Sequence, residues 1–201
     1  VTNNPRERRR DRRAAMLSRL GILVMRVLAL LPLSWVRGLG RVLGWLLYAL
    51  AAARRRVVRV NLRLCFPQWS ESQIRTAAVA TFVHFAQAWL DRGWLWHGSA
   101  DTLRQRLVLR GETGELDGDA PTVIFAPHFV GLDAGWTALT STLPRHFTTI
   151  YSNQVDETLD AWILAGRKRF GQPRLFGRDD GLKPVAQALR AGQPLYLLPD
   201  M

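Results

Sequence analysis

From residue 107 onwards the chain alternates short apolar runs with longer stretches of helical periodicity, and this alternation restricts the possible fold more than any other feature. Residues 107–109, 122–126, 147–151 and 195–198 are brief, apolar and rich in β-branched or aromatic side chains, so they read as strands, with 122–126 a buried one. Residues 132–141, 156–169 and 180–191 read as helices between or after them. Strands separated by helices indicate an α/β fold with a mixed or mostly parallel sheet flanked by helices.

The stretch PTVIFAPHFVGLDAG places a histidine, His128, in the loop after one of these strands, and a carboxylate, Asp133, where the next helix starts. In open α/β sheets ligands bind beyond the carboxyl ends of the strands, so this loop faces a crevice. A carboxylate bonded to one imidazole nitrogen fixes the tautomer and leaves the other nitrogen as a base. A chance spacing, with the histidine a satisfied polar residue near an apolar strand, is the bland alternative.

The first third of the chain has a different character. Residues 1–63 hold fifteen arginines against Glu7 and Asp11, whereas residues 64–201 hold 13 Lys and Arg against 14 Asp and Glu; the net charge of +12 therefore belongs to the N-terminal third. Residues 1–13, VTNNPRERRRDRR, form a polar arm without apolar periodicity and are expected to be mobile. Two apolar segments follow, 16–33 and 38–53, the first interrupted by Arg19 and Arg26 and the second by Arg41. Neither is the unbroken run of about 20 apolar residues that a transmembrane helix requires, and no small-residue cleavage site follows as in a signal peptide. Arginines flank the pair on both sides, so both flanks read as cytoplasmic. The expected arrangement is a helical pair lying in the cytoplasmic leaflet, with Trp35 and Trp45 near the interface; a single tilted span is the alternative.

The chain accordingly divides into a basic arm (1–13), a membrane-associated helical segment (14–53) and an α/β domain (54–201). The ending LYLLPDM opens a loop after a strand, so that domain is expected to be C-terminally incomplete. Residues 54–97 are helical in pattern, with Ser70 placed to cap a helix that begins at Glu71. The single cysteine, Cys65, excludes an intrachain disulfide and reads as a small core residue.

Four blocks resemble the lipid A biosynthesis acyltransferases, the late lauroyl and myristoyl transferases within the wider lysophospholipid acyltransferase superfamily. They are the hydrophobic N-terminal anchor, RRRVVRVNLRLCFPQWSESQI, VIFAPHFVGLDAG and AGRKRFGQPRLFGRDDGLKPVAQALRAGQPLYLLPD. The resemblance covers nearly the whole chain apart from the arm. It implies acyl transfer from an acyl carrier protein thioester to a hydroxyl of a lipid A precursor at the cytoplasmic face of the inner membrane. His128 would be the general base and Asp133 its orienting partner, although the family often has Glu at this position. Arg167 and Arg169, matching a Gly-Arg-x-Arg element, would bind anionic groups of the glycolipid acceptor, and Asp200 would contact the acceptor or a site arginine.

A thioester is already activated, so a base for the acceptor hydroxyl and donors for the oxyanion suffice, and neither a cofactor nor a metal is expected. His84, His97 and His146 lack partners at metal-ligand spacing, and no P-loop or dinucleotide fingerprint is present. An acyltransferase for a lysophospholipid or another membrane lipid is the nearest rival. Outside enzymes the rivals are a membrane scaffold and a nucleic-acid-binding protein; arginines that flank apolar segments favour an anionic membrane over nucleic acid.

Overall fold

The computed structural model describes residues 5–198. Eight α-helices and four strands follow in the order α1 (Pro5–Leu28), α2 (Leu33–Leu50), α3 (Ala52–Cys65), α4 (Glu71–His97), α5 (Ala100–Arg106), β1 (Val123–Phe125), α6 (Leu132–Thr142), β2 (Thr148–Tyr151), α7 (Glu157–Arg167), β3 (Arg174–Gly177), α8 (Leu182–Arg190) and β4 (Leu195–Leu197). They form two compact units. One comprises Leu30–Asp91; the other joins the segment up to Ala29 with the residues from Arg92 onwards. Compactness thus divides the chain at other points than the membrane and α/β segments expected from composition.

The Leu30–Asp91 unit is helical. Small residues on α2 allow it to meet α4 closely: a Cβ at Gly44 would lie 2.4 Å from the Val83 Cα, and one at Gly40 would meet Gln87. Around this crossing Val36, Ile74 and Ala78 are fully enclosed, Tyr48 meets Phe82 edge to face, and Arg37 pairs with Asp91 at 3.0 Å. The start of α4 is fixed as expected: Gln73 N–H donates to Ser70 Oγ, while Ser70 N–H donates to Gln73 Oε1. This reciprocal pair is a capping box. Before it, Phe66 stacks on Trp69. Cys65 departs from the expectation of a core residue: it is exposed, at the end of a helix that buries none of its residues.

In the other unit the sheet is entirely parallel, in the order β1-β4-β2-β3. Parallel neighbours need crossovers, here supplied by α6, α7 and α8. Trp136, Leu139, Phe147 and Tyr196 form one apolar cluster, and Phe176, Val185, Ala188 and Leu195 another. Arg145 is buried and donates to Ala120 O and Gly192 O, tying together the loops before β1 and β4.

Four further expectations are corrected. The segment 107–109 leaves α5 in extended conformation but forms no strand. The strand β3 has no counterpart in the sequence reading because only Phe176 of its four residues is buried. The strand β1 is not buried throughout: it is an edge of the described sheet, and Val123 and Phe125 face outward. Finally, α1 carries the arginine-rich segment from Pro5 onwards within a helix, where a mobile arm was expected.

Candidate active site

The carboxyl end of β1 leads directly into the site. Ala126 N–H donates to Leu197 O, which completes the pairing with β4, and the chain then turns through Pro127 and His128. His128 is exposed, with Phe129 and Val130 also exposed beside it. Gly131 ends the loop in the left-handed region (φ 94°), a conformation that a Cβ disfavours, and α6 begins at the next residue. Asp133 thereby enters the first turn of α6, where the helix dipole favours an anion.

Asp133 is 8% exposed and is held from two other helices. Its Oδ2 accepts from Arg92 Nε of α4 at 2.8 Å, and its Oδ1 accepts from Arg167 Nε at the end of α7 at 2.9 Å. Burial opposes its ionisation, but the charges and hydrogen bonds of Arg167 and Arg92 prevail and move its pKa below the usual aspartate value. Asp133 is therefore an anion at neutral pH. Each carboxylate oxygen has two lone pairs, so the two arginines leave acceptor capacity for a further donor.

The arginines are themselves positioned. Trp136 Nε1 donates to Arg167 O at 2.8 Å, and the Arg167 guanidinium lies over the Tyr151 ring at 5.4 Å. Arg92 lies over Trp96 at 5.5 Å. The Tyr151 hydroxyl donates to Asp160 at 2.6 Å; burial, then that bond, push its pKa up to about 12, so it stays a neutral donor.

Of the residues expected to form the site, His128, Asp133 and Arg167 lie on the β1–α6 loop, the start of α6 and the end of α7. Arg169 turns elsewhere: it donates to Leu95 O at 2.8 Å and to Gly98 O, closing the end of α4, and it stacks on Phe170. Asp200 lies outside the described residues. Arg92 is a residue that sequence reasoning missed. It sits one helical turn before Trp96 in an aromatic stretch, and no local pattern connects it with a carboxylate 41 positions later. Among the described residues no three His, Cys, Asp or Glu side chains converge as a metal ion would require.

The site thus combines a loop histidine beyond a parallel strand with an arginine-clamped carboxylate at the start of the next helix. The chain belongs to the bacterial lipid A biosynthesis acyltransferase family, whose model matches residues 5–201. It is 28% identical over 186 residues to a lipid A biosynthesis acyltransferase of Haemophilus influenzae, covering 90% of this chain and 57% of that protein. Two Escherichia coli K12 proteins are also similar: the lipid A biosynthesis myristoyltransferase, 29% identical over 184 residues (90% of this chain, 56% of the relative), and the lauroyltransferase, 27% identical over 187 residues (92% and 60%). The chain spans little more than half the length of the curated relatives it matches.

Proposed function

We propose that this chain carries the catalytic loop of an acyltransferase that moves a fatty acyl group from an acyl carrier protein thioester to a hydroxyl of a lipid A precursor. The observation that carries this reading is the buried, ionised Asp133, in the first turn of a helix five positions after an exposed histidine at the carboxyl end of β1.

His128 takes the proton from the acceptor hydroxyl as its oxygen attacks the thioester carbonyl; the C–S bond then breaks and the thiolate leaves with a proton from the imidazolium. Asp133 fixes the imidazole tautomer and stabilises the imidazolium between those two steps, using the acceptor capacity that the arginines leave. The N–H groups at the start of α6 are the donors for the oxyanion. Arg167 uses Nε on Asp133, and its remaining N–H groups recognise a phosphate or carboxylate of the acceptor. Arg169 supports α4 from behind through its two carbonyl contacts.

The same reading places the protein on the cytoplasmic face of the inner membrane. Met16, Leu17, Leu20 and Leu23 of α1 and Trp35, Val42, Trp45 and Leu50 of α2 are exposed. No single helix among the described residues is long and apolar enough to cross a bilayer; Leu33–Leu50 and Ala52–Cys65 together have the length and composition but are bent by 94°. Exposed apolar faces on such helices favour insertion along the leaflet.

The test is acyl transfer by the purified protein with a His128→Ala substitution, given acyl carrier protein thioester and a lipid A precursor. Loss of a general base lowers kcat by about 10²- to 10⁴-fold. Stability should be unchanged, because the His128 side chain is in an exposed loop. Turnover within a few-fold of the parent would exclude His128 as the base.

A further inference from the structure

The helix α3 exposes its apolar Val57, Val60 and Leu64 and carries an arginine-rich face whose packing role accounts for only part of its charge. A cavity of about 500 Å³ is lined by Tyr48, Arg55, Arg59, Glu71, Ser72 and Arg75. A smaller hollow of about 190 Å³ shares Arg55 and Arg59 with it and adds Arg56 and Arg63. Arg55, Arg59 and Arg75 line the larger cavity with Glu71, and Arg56 and Arg63 continue the cluster into the smaller hollow.

Some of these charges have structural work. Arg55 Nη1 donates to Tyr48 O and Ala49 O, closing the end of α2. Arg59 and Arg63 both bond Glu71, at 2.9 Å and 2.8 Å, and these bonds push the Glu71 pKa down to about 2, so it stays an anion. Glu71 balances one charge. The side chains of Arg56 and Arg75 make no hydrogen bond or ion pair among the described residues, and Arg59 Nε is buried without a partner.

We infer that these two arginine-lined hollows, which share Arg55 and Arg59, together hold a phosphate group of an anionic membrane lipid. The planar guanidinium fork matches phosphate oxygens, and the first turn of α4 at Ser72 presents the positive end of a long helix. A lipid is favoured as the carrier of that phosphate because Tyr48, which lines the cavity, belongs to the helix that exposes Trp35, Val42, Trp45, Leu46 and Leu50. An apolar face ending at an arginine cluster matches the boundary between acyl chains and head groups. The inference rests on the membrane association proposed above.

The experiment is flotation of the protein with vesicles of phosphatidylcholine alone and of phosphatidylcholine with phosphatidylglycerol. Near an anionic surface each arginine contributes about a factor of five in partitioning, so Arg56→Gln with Arg75→Gln should lower binding to the phosphatidylglycerol vesicles about thirty-fold. Binding to phosphatidylcholine alone, carried by the apolar helices, should not change. A control pair, Arg110→Gln with Arg190→Gln, removes equal charge from exposed positions of the other unit and should have less than about a threefold effect. Equal loss from both pairs, or none from the cavity pair, overturns the site while the membrane reading stands. Failure to bind either vesicle overturns both. Binding of inorganic phosphate in the absence of vesicles that Arg56→Gln with Arg75→Gln abolishes, with no change in binding to phosphatidylglycerol vesicles, would show that the site takes free phosphate instead of a lipid.

Discussion

Replacing Asp133 by Asn tests whether the carboxylate is the centre of the arginine clamp. Asp133 is 8% exposed and receives one Nε–H on each oxygen. In the variant one acceptor remains, an amide N–H₂ faces the other arginine, and two guanidinium charges share a site without their anion. Breaking a buried pair by removing one partner costs about 3–5 kcal/mol. The side chains of Arg92 and Arg167 are 18% and 28% exposed, so water screens part of this and the expected loss falls to about 2–4 kcal/mol. Removing one arginine instead leaves Asp133 paired with the other, and Arg92→Gln or Arg167→Gln should cost only about 1–2 kcal/mol. The depressed pKa of Asp133 also fixes the direction of the pH dependence. Its contribution is complete above the unfolded-state value of about 4 and is lost as pH falls through the folded-state value, so the gap between parent and Asn variant should narrow in acid. Urea unfolding followed by circular dichroism at neutral pH and below pH about 4 measures both quantities. An Asn variant within about 0.5 kcal/mol of the parent at neutral pH would refute the clamp, as would a gap that widens on acidification.

Two further substitutions probe packing and protonation elsewhere. Gly44→Ala should lower stability by about 1–3 kcal/mol, because its Cβ would meet backbone atoms of Phe82 and Val83, whereas Gly38→Ala, with nothing within 4 Å, should be neutral or stabilising; thermal unfolding distinguishes them. His97 Nε2 accepts a hydrogen bond from Trp162 Nε1 at 2.8 Å, and burial, then the charges of Arg26 and Arg169, lower its pKa. Its contribution is therefore present above the unfolded-state value of about 6.5 and lost as pH falls through the lower folded-state value. A thermal midpoint that declines on acidification in the parent, with a shallower decline in His97→Gln, is the expected result; equal slopes would contradict it.

The alternation of patterns reveals the α/β class and places β1, β2, β4 and helices α6, α7 and α8 to within a few residues. It fails where tertiary context decides. Residues 107–109 are as apolar as a strand but find no partner, and Arg174–Gly177 gains its pairing from β2 despite a mostly unburied pattern. Ser70 is legible because a capping box is local. Arg92 is not legible, since its meaning comes from a carboxylate brought to it by the fold, and the same holds for Arg169, whose main-chain partners at the end of α4 leave no trace in spacing.

The strand order has a consequence for how the chain is made. Ribosomal synthesis delivers β1, β2 and β3 before β4, yet β4 lies between β1 and β2 and bonds to both. Until Leu195–Leu197 has emerged, β1 has no neighbour among the described strands, and the histidine loop at its end has no fixed base; Ala126 N–H still awaits Leu197 O. During that interval the main-chain N–H and C=O groups of Val123–Phe125 that β4 will pair are an open strand edge on a nascent polypeptide. Insertion of a late strand into the middle of the sheet thus makes the His128 loop one of the last parts to acquire its shape.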